Sequence, residues 1–224
     1  MKRIRIAMMA LAAVAVSACS GPQTASRNAT NDVTIKATQV SQPEGYTAQH
    51  GVFVPDINIA RITVDVPRSL QVSEKNSYYP KGDIVWRGDL FGDRHEQVAA
   101  ILDQSARNAA VKLQGSRPVH VHFQVTRFHG VSEKARYNTG GVHNINFLVT
   151  LLDPETGATL RPARLVVSNL DALRGNEAIQ ADGRGDTQKH RVTNFLSQVI
   201  QTELTQPHGY VDGNSGFFVA LNRN

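Results

Sequence analysis

The feature that most constrains this 224-residue chain is an alternation of apolar and polar side chains in its second half. Within Val119–Phe128, apolar residues at 119, 121, 123 and 125 alternate with polar ones at 120, 122, 124 and 126, which predicts a half-buried β-strand with one solvent-facing side. Asn144–Leu152 repeats the pattern, and a turn signal at Asp153–Gly157 pairs it with a third segment, Thr159–Asn169. Strands joined by short turns run antiparallel, so this part of the chain predicts an antiparallel sheet.

Two amphipathic segments flank these strands. The first follows Asp93, a residue suited to cap a helix, with Glu96 in position for a capping box, and it ends at Gly115. The second spans Thr187–Leu204. A helix with one apolar stripe must bury that stripe against another element. The sequence therefore predicts a two-layer α+β domain, an antiparallel sheet with two amphipathic helices packed on one face, and a further strand at Ile57–Val66.

The remaining segments carry weaker patterns. Leu170–Asp186 is rich in glycine and charge and predicts a long exposed loop, with Asp186 placed to cap the last helix. Asp32–Val40 has a faint alternating pattern, and Phe217–Leu221 is an apolar patch that fits a final strand.

The N-terminus has the layout of an export signal. Three basic residues within the first five precede an apolar run that is too short to span a bilayer, which takes about 20 residues. The run ends in Val16–Cys19, an aliphatic residue, a serine, an alanine and the only cysteine of the chain. This ending resembles the lipobox of bacterial lipoproteins. The resemblance implies cleavage after Ala18 and lipidation of Cys19.

Acyl chains such as palmitate would then hold the protein on a membrane of the cell envelope, facing the periplasm. Ser20 slightly favours the outer membrane, by its resemblance to enteric lipoproteins, in which an aspartate at that position marks the inner membrane. Residues 19–31, mostly small and polar, predict a flexible tether of at most roughly 40 Å. The predicted organisation is a signal peptide over 1–18, a lipidated tether over 19–31 and a single periplasmic domain over 32–224.

The charge of the chain argues against a nucleic-acid partner. Removing the signal lowers Lys plus Arg from 24 to 21 against 19 Asp plus Glu, so the net charge falls from +5 to +2. The sequence contains no basic stripe, which is the usual footprint of nucleic-acid binding. With the one cysteine assigned to lipid, and with no nucleotide-binding or nucleophile motif, the chain predicts no disulfide, no cysteine-based zinc site and no cofactor.

Three histidines form a candidate metal or catalytic set. His120 and His122 are two residues apart on a predicted strand and point the same way, and His143 begins the next strand, from which it could face them. Three imidazoles can hold a zinc ion with an open coordination position. Solvated histidines on the polar face of a sheet explain the pattern more simply. The set therefore supports only an alternative function, a metal-dependent hydrolase.

The most distinctive segment is Asp83–Arg94, which holds the only tryptophan. Helix capping and solvated charge explain most of its residues, with the tryptophan as a core anchor. Exposed loops that combine an aromatic side chain with arginine also make binding sites. The candidate partner or ligand residues are Asp83, Trp86, Arg87, Asp89, Asp93 and Arg94.

The segment Asp83–Arg94, together with the lipobox, resembles a family of uncharacterised alphaproteobacterial lipoproteins. The resemblance covers most of the mature domain and implies no activity or site, because that family has none assigned. The leading hypothesis is a non-enzymatic, membrane-anchored accessory protein that binds an envelope protein or a lipid-linked component through its sheet face or through this segment. The alternatives are the histidine-dependent hydrolase and a carrier of lipid or another small ligand, with an apolar cavity between helices and sheet.

Overall fold

The structure is a computed structural model that describes residues 56–213. Its strands are β1 (Ile57–Asp65), β2 (Ile84–Val85), β3 (Arg117–His129), β4 (Gly141–Leu152) and β5 (Thr159–Ala172). Its helices are α1 (Arg94–Ala110), α2 (Glu133–Arg136), α3 (Gly175–Gly183) and α4 (Gln188–Thr205). The predicted signal peptide, Ala18, Cys19, the tether, Asp32–Val40 and Phe217–Leu221 lie outside the described residues.

The five strands form one sheet in the order β1-β3-β4-β5, with β2 also paired to β3. β1 pairs with the first part of one edge of β3, β2 pairs with Phe128 and His129 at the end of that edge, and β4 occupies the other edge. The three long strands β3, β4 and β5 are antiparallel. β1 runs parallel to β3 because the chain crosses back through α1 before it enters β3. The predicted α+β fold class is confirmed, with a mixed sheet.

The helices α1 and α4 pack against each other and against one face of the sheet. The layer between them is filled by side chains that are at most 1% exposed, among them Trp86, Val98, Leu102, Phe123, Phe147, Leu196 and Ile200. The opposite face of the sheet, which we call the open face, carries the alternate side chains of the strands. Among residues 56–213, no helix combines the length and the hydrophobicity needed to cross a bilayer.

The N-terminal caps of the two long helices differ in how well the sequence predicts them. The side chain of Asp93 accepts hydrogen bonds from the backbone N–H groups of His95 and Glu96, at 2.9 and 3.2 Å, so the predicted cap of α1 is confirmed. For α4 the predicted cap is wrong. Thr187, not Asp186, caps this helix, because its hydroxyl accepts a hydrogen bond from the backbone N–H three residues later.

The prediction of a long exposed loop over Leu170–Asp186 is also wrong. β5 continues to Ala172, and α3 follows it at Gly175–Gly183. The buried side chains of α3 are Ala178 and Ala181. Because α3 packs through two small side chains, it has no wide apolar stripe that a sequence pattern could detect.

A buried carboxylate joins α4 to β5. Glu203 has no exposed surface and pairs with Arg164 and Arg161, the latter at 3.2 Å. The same carboxylate accepts a hydrogen bond from the backbone N–H of Tyr210 at 2.8 Å. Gly209, at φ +67°, lies against Arg164 and Glu203 and leaves no room for a Cβ atom. This charged cluster holds the segment after α4 against the sheet.

Replacing Glu203 with alanine should lower the free energy of unfolding by about 2–3 kcal/mol, because two arginines lose their buried counter-charge. The expected loss is smaller than for a fully buried pair, since both arginines are partly exposed. Urea denaturation followed by circular dichroism measures it. Glu177→Ala, at an exposed position on α3, is the matched control. Equal losses in the two variants would contradict this account of the cluster.

Candidate functional site

A cavity of about 930 Å³ lies on the open face of the sheet, and we call it the sheet groove. Its floor consists of side chains from β3, β4 and β5, and its walls are the Tyr78–Gly82 segment and the chain that connects β3 to β4. Its volume falls within the range of small-molecule binding sites. The lining residues include Tyr78, Tyr79, Pro80, Lys81, Arg127, His129, Val131, Asn144, Asn169 and Asp171.

A shift in strand register decides which side chains form the groove floor. Every second residue of β3 from Val119 to Val125 faces the helices and is buried. The pairing of β3 with β4 shifts between Val125 and Arg127, so that Phe128 faces the core instead of Arg127. A bulge of this kind reverses the alternation of side chains beyond it. Arg127 and His129 therefore line the groove.

A row of hydrogen-bonding side chains crosses the floor. His129, Asn144 and Asn169 lie opposite one another on β3, β4 and β5. The Asn144 amide donates a hydrogen bond to the Asn169 side-chain oxygen at 2.8 Å, and the Asn169 amide donates to Asp212. The exposed carboxylate of Asp171 lies at the edge of the groove. The floor therefore offers polar groups at fixed positions.

Two contacts hold the Tyr78–Gly82 wall against the rest of the site. The ring of His129 is hydrogen-bonded through Nε2 to the backbone oxygen of Pro80 at 2.9 Å. The ammonium group of Lys134 lies 4.8 Å from the centroid of the Tyr78 ring, within the range of a cation–π interaction. These contacts fix the position of the wall relative to the groove floor.

Arg127 is a cation without a counter-charge in the described part of the chain. It is half-buried, and within residues 56–213 it has no hydrogen bond or ion pair, although its Nε atom is fully buried. By contrast, Arg87, Arg94 and Arg136 each pair with a carboxylate at 2.7 Å. A buried charge is normally paired because desolvation is costly. The guanidinium of Arg127 is therefore suited to an anionic group from outside the domain.

His129 remains a neutral hydrogen-bonding group beside this arginine. Burial lowers the pKa of His129, the hydrogen bond to Pro80 partly opposes that effect, and the charge of Arg127 lowers the pKa again. The imidazole is consequently uncharged at neutral pH. The formal charges that line the groove are then Lys81, Arg127 and Asp171, with a net charge of +1.

The structure does not bring the three predicted histidines together. His120 and His122 lie on the open face, and each ring is hydrogen-bonded to the Thr63 hydroxyl at 2.9 Å. His143 points to the helix-covered face and is 3% exposed, and its burial, followed by the charges of two nearby arginines, lowers its pKa to about 3. In the described range, no group of three or more His, Cys, Asp or Glu side chains could hold a metal ion.

The distinctive segment before α1 uses its polar side chains for internal contacts. Asp83 accepts a hydrogen bond from the backbone N–H of Gln71 at 2.9 Å. Trp86 is fully buried and donates from its indole N–H to Asp89 at 2.7 Å, and Lys189 of α4 donates to the same carboxylate at 2.7 Å. The tryptophan is thus a core anchor, as the sequence predicts.

The two arginines of this segment converge on one carboxylate. Arg87 and Arg94 both pair with Glu74, and Arg87 also reaches Glu133 of α2 at 3.1 Å. The hydrogen bond from Arg94, with a further one from Arg87, holds the pKa of Glu74 below its usual range. The charged candidate residues therefore brace the loops around β2 and α1.

The sequence pattern predicts the polar sheet face as a binding surface, but it does not identify Arg127, His129 or Asn169. Polar residues that recur in neighbouring strands are the available signal for such a floor. If the alternation of β3 continued unbroken, however, Arg127 and His129 would lie on the same side as Val125, which is the core side. The bulge places them on the other face.

One family model matches the chain. It is the model of DUF6778, described as a family of unknown function, and it matches residues 57–220. A search of curated proteins finds no match.

Three solved structures show a partial likeness. A candidate lipoprotein from Caulobacter crescentus CB15 is 16% identical, with 63% of this chain and 87% of that chain covered and a TM-score of 0.34. Protein XCC0632 from Xanthomonas campestris, of family DUF330, is 10% identical, with 66% and 82% covered and a TM-score of 0.39. The PelC dodecamer from Paraburkholderia phytofirmans is 10% identical, with 69% and 91% covered and a TM-score of 0.29. Likeness at this level does not carry a function to this chain.

Replacing Arg127 with glutamine should raise the pKa of His129, because it removes a positive charge that disfavours the imidazolium form. A pH titration of the imidazole C–H resonances by NMR measures the change. Arg107→Gln, at an exposed ion pair on α1, removes the same charge elsewhere and should leave the His129 titration unchanged. A pKa of His129 that does not rise in the Arg127 variant would contradict this assignment of the groove floor.

Proposed function

Since the chain belongs to DUF6778, a family of unknown function, we propose that it acts as a membrane-anchored binding protein of the cell envelope. In this proposal the sheet groove holds an envelope component that carries an anionic group. The domain serves as an accessory to an envelope complex and has no catalytic role of its own. The anchor is the lipid on Cys19. It holds the domain on the periplasmic side of a membrane, with the outer membrane slightly favoured.

The observation that carries the proposal is the guanidinium of Arg127, which forms no hydrogen bond or ion pair within residues 56–213 and lies on the floor of a cavity of about 930 Å³. A planar guanidinium binds carboxylate and phosphate groups through two parallel hydrogen bonds. Lys81 adds a second positive charge, and the Asn144–Asn169 row adds fixed polar groups. Tyr79, which is 91% exposed at the rim, offers an aromatic surface to a ligand that extends out of the groove.

Binding is supported better than the alternatives by the placement of the described residues. The histidines of the hydrolase alternative lie on two faces of the sheet. The layer between helices and sheet, where a carrier would hold an apolar ligand, is packed with core side chains. The groove on the open face is lined by both polar and aromatic groups and is open to solvent.

The groove can be tested by site-specific photo-cross-linking in living cells. A photoreactive phenylalanine analogue in place of Tyr79 should give a discrete cross-linked product. The same analogue in place of Val111, which is 72% exposed at the end of α1, should not give that product. Adding Arg127→Glu should abolish the Tyr79 product, because it reverses the charge at the floor.

Two outcomes would count against the proposed groove. One is a product at Val111 that matches the product at Tyr79 in mass and yield. The other is a Tyr79 product that survives the Arg127 charge reversal while circular dichroism shows that this variant is folded.

The proposed anchor predicts a chemically modified N-terminus. Mass spectrometry of the protein from cell membranes should find an N-terminal peptide that begins at Cys19 and carries acyl chains, and metabolic labelling with an alkynyl palmitate analogue should tag it. Cys19→Ala should remove the label, because the thiol that forms the thioether is gone. A mature chain that begins at another residue, or that takes up no label, would contradict the anchor.

A further inference from the structure

Two adjacent apolar side chains project from the segment that precedes α1. Leu90 is 90% exposed and Phe91 is 85% exposed, and we call this pair the apolar tip. Exposed apolar side chains are common when they occur singly, but an adjacent pair on a fixed backbone marks a contact surface. We infer that the apolar tip contacts the lipid bilayer to which the protein is anchored, an inference that rests on the proposed acylation of Cys19.

The backbone of the tip is held in place by the side chains of Arg94, which is buried, and Gln97, which is partly exposed. The oxygen of Leu90 accepts hydrogen bonds from Arg94 Nη1 at 3.1 Å and from Gln97 Nε2 at 2.9 Å. Arg94 itself is 3% exposed and is fixed by its ion pair with Glu74 at 2.7 Å. Because these contacts fix the main chain, Leu90 and Phe91 project into solvent while the residues around them are anchored.

A lipid surface fits the tip better than a protein partner. A stable protein interface buries roughly 800 Å² on each partner, whereas an aromatic side chain supplies only about 150–250 Å². Lipid binding needs no complementary shape, since apolar side chains can enter the boundary between headgroups and acyl chains. The nearby charges are paired, Arg68 with Asp93 at 2.5 Å and Lys189 with Asp89 at 2.7 Å. The contact is therefore apolar and should not require anionic lipid.

The proposed anchor leaves enough chain for the tip to reach the bilayer. Asp56, where the described chain begins, binds residues just before and at the start of β3, and β2 at the other end of β3 leads to the tip. β3 has 13 residues, a length of about 43 Å at ~3.3 Å per residue. The 36 residues between Cys19 and Asp56 can span at most roughly 120 Å. This upper bound exceeds the length of β3, so chain length alone does not prevent the end that carries the tip from facing the membrane.

The test places a fluorescent label on the tip and relies on the chain having one native cysteine. Because acylation blocks the thiol of Cys19, a cysteine introduced by Leu90→Cys or Phe91→Cys is the one reactive thiol of the chain. The purified lipidated variants are labelled with an environment-sensitive fluorophore and reconstituted into phosphatidylcholine vesicles. We expect blue-shifted emission at both positions, and quenching by lipids that carry a nitroxide group. The matched control, Val111→Cys, should show neither effect.

Each other outcome overturns the inference in a different way. Emission that stays unshifted at positions 90 and 91, while the protein floats with the vesicles, shows that the tip does not touch lipid. A shift that appears only with anionic vesicles, or equally at position 111, shows a non-specific electrostatic approach. A shift that needs an added envelope protein assigns the tip to that protein. Failure of the proposed anchor is distinguishable, because the protein then does not float and Cys19 itself takes up the label.

Discussion

The burial of one face of β3 is the constraint on which the rest of this structure depends. Val121 and Phe123 have no exposed surface beneath the helix layer, and burial of such side chains contributes roughly 1.5–3 kcal/mol each. Because a strand alternates, covering one side fixes which side chains remain on the other. β4 and β5 pair in register with β3 and extend the same open face. The sheet groove forms where this face meets the Tyr78–Gly82 wall.

Charges have two different roles in the domain. Glu74 and Glu203 each form ion pairs with two arginines and so hold loops and the segment after α4 against the secondary structure. Such pairs stabilise one arrangement of the chain mainly because separating them would leave a charge without water or a partner. Arg127 differs, because it forms no ion pair within residues 56–213 although its Nε atom is fully buried. Its position on the groove floor and this buried, unbonded atom together distinguish it from the arginines that brace the framework.

The groove and the apolar tip lie toward the same end of the sheet. His129, on the groove floor, pairs with Val85 of β2, and the tip follows β2 after a few residues. If the tip contacts lipid as we infer, a component bound in the groove would lie near the bilayer surface. An anionic group attached to a lipid or to an envelope protein could then reach Arg127 without leaving the membrane. The short strand β2 thus connects the groove floor to the apolar tip.

The sequence by itself determined the long elements and the fold class. Alternation and helical periodicity are local consequences of a single buried face, so they mark β1, β3, β4, β5, α1 and α4 to within a few residues. The same reasoning fails for α3, which buries only Ala178 and Ala181 and so lacks an apolar stripe. It also fails for the cap of α4, because Asp186 and Thr187 are both good capping residues and the backbone geometry chooses between them.

Only the tertiary structure decided the composition of the groove. A bulge forms between Val125 and Arg127 because β3 must stay in register with β4 while keeping Phe128 in the core. That requirement comes from a partner strand, so the sequence of β3 alone cannot reveal it. The separation of His143 from His120 needs no such information, because His143 alternates in phase with the core residues of β4 whereas His120 is out of phase with those of β3. Local pattern thus determines which segments are strands, whereas the pairing between strands determines which side chains meet.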